Sequence, residues 1–179
     1  MKDHQLRALI QVAERGSIRS AAKAMHLTQS ALTKALREAG LDSEIREMGD
    51  TRTAADAAAA VGCAVDQIAK SIIFRGEDSG HVVLFLTAGG NRVDAAKATA
   101  LAGQALGKAD ANLIRAETGF AIGGVAPVGH LTEIAAFIDP RLLEFGTVWA
   151  AAGTPCHVFA IAPDDLVRVS GARPADFTA

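Results

Sequence analysis

The hydrophobic positions of the chain follow two different spacings, which predict a mixture of helices and strands. Leucine, isoleucine and alanine recur every three to four residues in several stretches, as they do along one face of a helix. Other stretches are continuously apolar, which is typical of buried strands. The predicted helices are residues 4–14, 18–25, 29–39, a stretch from Thr51 or Thr53 to Ala60, and 95–106, with a last helical turn from Asp164. The predicted strands are residues 43–48, 65–74, 81–87, 135–138, 148–151 and 157–161.

The order of these elements predicts the fold class. From residue 43 onward, helices and strands alternate irregularly, without the regular βαβ units of a doubly wound sheet. We therefore expect an α+β fold with a mixed sheet. The three short helices before Gly40, with an alanine-rich second member, have the pattern of a helix-turn-helix unit.

Charge divides the chain in the same region. Residues 1–40 hold seven Lys/Arg and three Asp/Glu, a net charge of +4, whereas the remaining residues hold 11 and 17, a net charge of −6. We interpret this as a basic helix-turn-helix segment, residues 1–38, joined to an acidic domain, residues 30–179. The helix 29–39 is expected to belong to both.

Composition limits the class of protein. The 179 residues are 50% hydrophobic and 21% charged, which suits one domain with a small appendage. No stretch approaches the roughly 20 apolar residues that cross a bilayer, and the beginning of the chain does not read as a signal peptide. The two cysteines, Cys63 and Cys156, fit a reducing cytoplasm and small core positions. With seven Phe, one Trp and no Tyr, the chain lacks the aromatic side chains of a stacking platform for single-stranded nucleic acid.

Lys70 is the first candidate for chemistry, because it interrupts the apolar run QIAKSIIF. In a partly buried site its ammonium would lose hydration and would bind an anion or polarise a carbonyl. The alternative is a lysine on an edge strand, where its charge discourages aggregation. The spacing alone leaves both interpretations open.

A glycine-rich segment after Thr118 is the second candidate. Residues 119–130 contain four glycines and one proline, too many for an ordinary strand. Consecutive glycines let the backbone approach a ligand closely and direct amides at an oxyanion or a phosphate. The segment matches no nucleotide-binding glycine motif, and a tight structural bend is the alternative.

The remaining polar residues suggest neither a metal nor a cofactor. His130, Asp139 and His157 match no known metal-ligand spacing, so we expect ordinary polar roles for them. The chain also lacks the G-x-S-x-G pattern of a serine nucleophile.

The beginning of the chain resembles a known family. The string LRALIQVAERGSIRSAAKAMHLTQSALTKALRE is similar to the start of a LysR-type transcriptional regulator, but no wing or long dimerisation helix follows Glu38. Since DNA affinity depends on the number of phosphate contacts, we favour helices that pack on the body, or a fusion relic, over DNA binding. In a LysR regulator, the helix that enters the major groove would carry Gln29, Ser30, Thr33, Lys34 and Arg37.

A second resemblance covers nearly all of residues 30–179. The strings TRTAADAAAAVGCAVDQIAKSIIF, GGNRVDAAK, ADANLIRAETGFAIGGVAPVGH, FIDPRLL and WAAAGTPCHVF resemble, in this order, the YbaK/ProX-type aminoacyl-tRNA deacylases. These are related to the editing domain of bacterial prolyl-tRNA synthetases. The resemblance implies a partly barrel-like mixed sheet with surrounding helices. It assigns catalysis to Lys70, Gly123 and Gly124, and substrate binding to Ser71, Gly129, His130 and Asp139.

The implied activity is trans-editing, the hydrolysis of the ester that joins a wrong small amino acid, such as Ala, Ser, Thr or Cys, to tRNA. Lys70 would bind the substrate, and amides of the glycine loop would stabilise the oxyanion. Ala126 stands where many cysteine-specific members carry Ser, which argues against a preference for cysteinyl-tRNA. The implied partners are the aminoacylated 3′ end of tRNA and, as a further candidate, a synthetase. A basic rim for tRNA would consist of Arg75, Arg92 and Arg115.

Two alternatives stay open at this stage. One is a transcriptional regulator whose effector domain is a retired deacylase fold, with DNA bound through residues 1–38. The other is a non-catalytic module that binds amino acids or tRNA ends.

Overall fold

The structure of the protein is a computed structural model, which describes residues 29–49 and 51–179. The predicted helices 4–14 and 18–25 lie outside the described residues. The described part contains five α-helices: α1 (29–38), α2 (Ala54–Val61), α3 (Ala95–Ala102), α4 (Ala111–Thr118) and α5 (Pro163–Ser170). Its strands are β1 (Ile45–Glu47), β2 (Ile68–Gly76), β3 (Val82–Ala88), β4 (Leu106–Lys108), β5 (Ala135–Ile138), β6 (Val148–Ala151), β7 (His157–Ile161) and β8 (Arg173–Pro174). Short 3₁₀ helices span Val65–Gln67 and Pro140–Glu144.

The strands form one mixed sheet, in the order β1-β7-β6-β2-β3-β5-β8. The long central pair β2–β3 is antiparallel, and β6 and β5 join it in parallel on either side. This confirms the expected α+β class with a mixed sheet.

The sheet divides along one side of β2. There β6 pairs only with Ile68 and Ala69, and β4 pairs only with residues 74–76. In the described part of the chain, residues 70–73 therefore have a strand partner on the β3 side alone. We call this interval, residues 70–73, the sheet gap.

Local signals in the sequence explain where most helices begin and end. Thr53 caps α2 in a capping box with Asp56, and Asp94 and Asp110 cap α3 and α4 through their side chains. The predicted helix 95–106 is too long, because Gly103 adopts a left-handed conformation (φ 67°) that ends α3, and Leu106 begins β4.

The predicted strand 65–74 begins too early. Residues Val65–Gln67 form a 3₁₀ turn in which the Gln67 side chain accepts a hydrogen bond from the Ala64 amide at 3.0 Å. The strand itself then runs from Ile68 to Gly76. The turn matters for the site, because it lies against the loop that follows β3.

The two faces of the central strands cover different apolar clusters. Ala69, Ile73, Leu84 and Leu86 belong to the main core, which also contains Leu32 and Leu36 of α1. On the opposite face, a smaller cluster of aromatic and aliphatic side chains consists of Ile72, Phe74, Val83, Phe85, Phe137 and Phe177, with Ala98 and others. Because successive strand residues alternate between faces, Ser71 points to the main-core side and Lys70 to the aromatic side.

Candidate functional site

Lys70 lies at the start of the sheet gap, on an interior strand. Its cross-strand partner is Thr87 of β3, and β6 pairs with β2 only as far as Ala69, so Lys70 lies at a local opening within an interior strand. The ammonium is half-buried and donates a 2.6 Å hydrogen bond to the carbonyl oxygen of Asn91. Burial lowers the pKa of Lys70 and the nearby Arg92 cation lowers it further, while the carboxylates of Asp139 and Asp66 oppose this shift.

The carbonyl that receives Lys70 is held in place by a buried carboxylate. Asp139 is only 2% exposed, and its Oδ2 accepts hydrogen bonds from the Ala88 amide at 3.1 Å and from Asn91 Nδ2 at 2.9 Å. Its Oδ1 accepts from the Arg141 amide at 2.9 Å. These contacts satisfy the carboxylate with protein donors, and through Asn91 they fix the carbonyl oxygen that Lys70 contacts. The carboxylate thus fixes the turn that carries Asn91, and the substrate contact implied by the resemblance stays a prediction.

The turn after β3 also packs against the 3₁₀ helix Val65–Gln67. The Gly90 amide donates to Asp66 Oδ1 at 3.0 Å, and Arg141 Nε donates to Asp66 Oδ2 at 3.0 Å. A Cβ added at Gly89 would collide with the carbonyl oxygen of Val65. The Gly89-Gly90 pair therefore lets the turn lie directly on the 3₁₀ helix, and this fixes the position of Asn91.

The glycine loop, residues 119–130, reaches the sheet gap from the opposite face. Ser71 Oγ donates to the carbonyl oxygen of Val125 at 2.8 Å. Gly124 packs against the turn after β6, where a Cβ would lie 2.6 Å from Cα of Thr154. Gly129 has a φ of +83° and lies next to α1, with the Ala31 carbonyl oxygen 3.3 Å from the position of a Cβ.

Two buried amides of this loop have no acceptor among residues 29–49 and 51–179. Val125 and Ala126 are 3% and 0% exposed, and within the described residues neither backbone N–H donates a hydrogen bond. Buried amides are normally paired, so these two are suited to an oxygen atom of a ligand or of water. The Gly124 amide, by contrast, already donates to the Ala121 carbonyl at 3.0 Å. Gly124 thus lies in close contact with Thr154 and its own amide is occupied, whereas the amides without a described acceptor are those of Val125 and Ala126.

The His130 side chain folds back onto the glycine loop and binds its backbone. Its Nε2 lies 2.7 Å from the carbonyl oxygen of Ala126, and since a carbonyl only accepts, Nε2 carries the proton. Burial lowers the pKa of His130, and the hydrogen bond to Ala126 opposes that shift in part. The ring also makes an edge contact with Phe120, at 6.0 Å between centroids. These contacts fit a residue that shapes the loop.

The predicted residues fall into two groups around the sheet gap. Lys70 and Asp139 approach from the aromatic side, whereas Ser71 and the glycine loop lie on the main-core side. The two groups meet only where Lys70 and Ser71 are consecutive. At the sheet gap neither β6 nor β4 pairs with β2, so within the described structure no strand on that side of β2 lies between the two groups.

The predicted basic rim is divided as well. Arg92 lies close enough to Lys70 to affect its pKa. Arg75 lies near the other end of β2, roughly 17 Å away at about 3.3 Å per residue, and binds Glu77 at 2.8 Å. Arg115 belongs to α4, whose Glu117 accepts from the amide of Val82, the cross-strand partner of Arg75. Only Arg92 of the three is thus placed beside Lys70.

Sequence reasoning missed Asn91, Thr154 and the environment of Cys156. Asn91 follows a Gly-Gly turn at the end of a buried strand, which is the one signal that could have indicated it. Thr154 is 2% exposed and its Oγ1 lies 2.6 Å from His157 Nδ1. Both cysteines are half-buried: Cys63 packs against an apolar cluster, in line with the expected core position, whereas Cys156 lies beside Thr154 and His157.

Comparison with known proteins decides the family. A model of the aminoacyl-tRNA editing domain matches residues 49–169, more than half of the chain. The chain belongs to the aminoacyl-tRNA editing domain family. A model of the bacterial regulatory helix-turn-helix proteins of the lysR family matches residues 4–39. Both resemblances seen in the sequence are thereby confirmed.

Individual relatives agree with this family. The chain is 32% identical over 118 residues to the uncharacterized protein YwhH of Bacillus subtilis (strain 168), covering 66% of this chain and 74% of that protein. A crystal structure of a candidate trans-editing enzyme for prolyl tRNA synthetase is 44% identical, with a TM-score of 0.79 over 85% of this chain and 97% of that one. The hypothetical protein APE2540 is 29% identical, with a TM-score of 0.74 over 83% and 99% of the two chains. None of the helices described in this editing-domain protein is long and apolar enough to cross a bilayer.

Proposed function

We propose that this editing-domain protein hydrolyses the ester bond of tRNA that carries a wrong, small amino acid, and that it acts in trans. Membership of the editing-domain family supports the reaction class, and the 44% identity to a candidate trans-editing enzyme supports action in trans. The observation that carries the proposal is the sheet gap itself. A half-buried ammonium lies on one side, and on the other lie two buried amides without an acceptor in the described part of the chain; together they are complementary to a substrate with a phosphate and an ester carbonyl.

The amides account for the chemistry at the carbonyl. When water attacks the ester, negative charge develops on the carbonyl oxygen, and N–H groups that already point at that position stabilise the transition state. Removal of one such donor typically costs about 3–4 kcal/mol of barrier. We assign this role to the amides of Val125 and Ala126. The ribose hydroxyl next to the ester, a group of the substrate, assists the water, as the family resemblance implies.

The cation accounts for binding. Since Lys70 lies on the opposite face from the loop amides, we assign it to the phosphate of the terminal adenosine, with Arg92 beside it, and leave the carbonyl to the loop. Its partial desolvation strengthens an ion pair with an anion. Hydrolytic editing is useful for small amino acids because a binding pocket separates substrates that differ by one methylene by only about 1–3 kcal/mol.

The test measures release of amino acid from a panel of tRNAs charged with alanine, serine, threonine or cysteine. The purified protein is compared with Lys70→Met, and Lys108→Met serves as the control, because Lys108 is an exposed lysine on β4. We expect turnover of at least one substrate by the wild type, at least a hundredfold lower kcat/KM for Lys70→Met, and wild-type activity for Lys108→Met. No release from any substrate, or an unaltered Lys70→Met, would falsify the proposal.

DNA binding is a second candidate function, and one observation favours it. Leu32 and Leu36 of α1 pack in the main core, which leaves the polar side of the helix at the surface. A surface groove there is lined by Gln29, Ser30, Thr33, Lys34, Arg37, Glu38 and Ile45. The first five of these are the residues that a LysR-type helix would present to the major groove. A gel-shift assay at low salt tests this, and the absence of a shift with duplex DNA would remove the candidate.

A further inference from the structure

A cluster of three metal-ligating side chains lies beside the turn that supports the glycine loop. Strand β1 pairs with β7 so that Glu47 is directly opposite His157, and the Met48 amide donates to the Cys156 carbonyl at 2.8 Å. Cys156 Sγ lies 3.4 Å from His157 Nδ1. Glu47, Cys156 and His157 each contribute one ligand atom, and these three atoms all lie within 4.8 Å of one another.

The distances suit a small tetrahedral ion. Bonds of about 2.3 Å to sulfur and about 2.0–2.1 Å to nitrogen or oxygen separate tetrahedral donors by about 3.3–3.6 Å. The observed contact between Cys156 and His157 already has this length. Glu47 is exposed, so its carboxylate can make the remaining movement without disturbing the core. The Thr154 hydroxyl lies 2.6 Å from the same nitrogen, His157 Nδ1, so this hydroxyl must turn away when Nδ1 binds the ion.

The chemistry of the donors selects the class of ion. Mg²⁺ and Ca²⁺ prefer oxygen ligands only, whereas a thiolate, an imidazole and a carboxylate together are typical of zinc and neighbouring divalent transition metals. We propose that Glu47, Cys156 and His157 form a binding site for such a metal ion, with Zn²⁺ as the expected occupant and a fourth position open to water. This site goes beyond the proposed deacylase activity and does not depend on it.

The place of the cluster gives the metal a structural consequence. Residues 152–156 connect β6 to β7, and Gly124 of the glycine loop packs directly on Thr154 in this connection. An ion shared by Glu47, Cys156 and His157 would join the edge strand β1 to that connection. Metal binding is therefore expected to stabilise the folded protein against heat, since a ligand that binds only the native state shifts the folding equilibrium towards it.

The test titrates Co²⁺, a spectroscopic substitute for Zn²⁺, into the purified full chain after treatment with a chelator. A thiolate ligand produces a sulfur-to-cobalt charge-transfer band in the near ultraviolet, and tetrahedral coordination produces intense visible bands. His4 and His26 can bind Co²⁺ but cannot produce the thiolate band. We expect one equivalent of bound Co²⁺ per chain, with both sets of bands, and their loss on addition of Zn²⁺.

The variants locate the site. Cys156→Ser should abolish the charge-transfer band, His157→Ala should weaken Co²⁺ binding at least a hundredfold, and Glu47→Gln about tenfold. Cys63→Ser is the matched control, because Cys63 is the other cysteine and is also half-buried, and it should bind as the wild type does. Circular dichroism checks that each variant is folded, and Glu47→Gln, an exposed change, keeps the test valid if the other two unfold. Any of three results would overturn the proposal. The wild type could show no thiolate band, or the band could be lost only in Cys63→Ser. The third result is unchanged Co²⁺ binding by Glu47→Gln and by the folded Cys156 and His157 variants.

Discussion

Two connections flank the candidate site, and they are built on different physical principles. The turn at residues 88–92 is held by a charge, because the buried carboxylate of Asp139 accepts hydrogen bonds from Ala88 and Asn91. The glycine loop is held by shape, because Gly124 lies directly against the backbone of Thr154. Within the described residues, the side-chain amide and the carbonyl oxygen of Asn91 in the turn are both paired, whereas the amides of Val125 and Ala126 in the loop have no acceptor.

The difference suggests a division of labour. A turn fixed by a buried carboxylate can hold a carbonyl oxygen firmly against the Lys70 ammonium and so positions a positive charge. A loop whose amides have no acceptor within the described structure offers hydrogen-bond donors and so suits a developing negative charge. The turn should therefore be sensitive to loss of a polar atom, and the loop to the gain of a single carbon atom. Three predictions test this contrast.

The largest effect is expected for Asp139→Ala, which acts on the turn. The substitution leaves the buried Ala88 amide without its acceptor and removes the partner of Asn91. Since hydrogen bonds to charged groups contribute about 1.5–3 kcal/mol each, we expect a loss of about 3–5 kcal/mol in the free energy of unfolding. Urea denaturation measures this loss, and deacylation by the remaining folded protein should fall because Lys70 loses its fixed partner.

Asp176→Ala is the control for this prediction. Asp176 is exposed and binds Lys97 at 2.9 Å, so it shares the residue type and an ion pair but not the burial. An exposed pair contributes about 0–1 kcal/mol. If both alanine variants lost the same small amount, the turn would not depend on its buried carboxylate.

The second effect, somewhat smaller, is expected for Gly124→Ala in the glycine loop. The added Cβ would lie 2.6 Å from Cα of Thr154, so one of the two segments must move. Overpacking of this kind typically costs about 1–3 kcal/mol of stability. Movement of the loop should also displace the amides of Val125 and Ala126, so deacylation should fall by more than the loss of stability explains.

Gly146→Ala is the matched substitution, because no atom lies within 4 Å of its added Cβ and its φ is not positive. We expect this variant to match the wild type in both measurements. A tolerant Gly124→Ala would show that the loop is not held by close packing, and the contrast between the two connections would fail.

The sequence predicted the strands and the loop around this site better than the contacts between their side chains. The bounds of β5, β6 and β7 are as expected, because continuous apolar runs between turn residues leave little freedom in where a strand begins. Lys70 and the glycine loop could be recognised because each interrupts such a pattern. The positioning of Lys70 by Asp139 could not, because it depends on the parallel pairing of β3 with β5, which brings together residues about fifty positions apart.

The same limit applies to the sheet gap and to the metal cluster. The gap arises because β6 pairs with only two residues of β2 and β4 with only three, and no local pattern encodes those lengths. Glu47 meets His157 only through the register of β1 on β7. Periodicity along the chain gives the elements, whereas the chemistry here depends on which elements are neighbours.

The smallest expected effect is a pH dependence of the free energy of unfolding that comes from His130. It sharpens the contrast, because His130 belongs to the glycine loop and not to the turn. Burial lowers the folded-state pKa of His130 below its ordinary value of 6.5, so the unfolded chain takes up a proton more readily than the folded protein does. The stability that neutral His130 contributes is therefore complete above about pH 6.5 and is lost as the pH falls towards the lower, folded-state pKa. Urea denaturation at pH 7.5 and 5.5 should show a decrease that His130→Gln reduces, since the glutamine amide can still donate to Ala126 but does not titrate. Equal decreases in the wild type and in His130→Gln would mean that the loop does not respond to this proton.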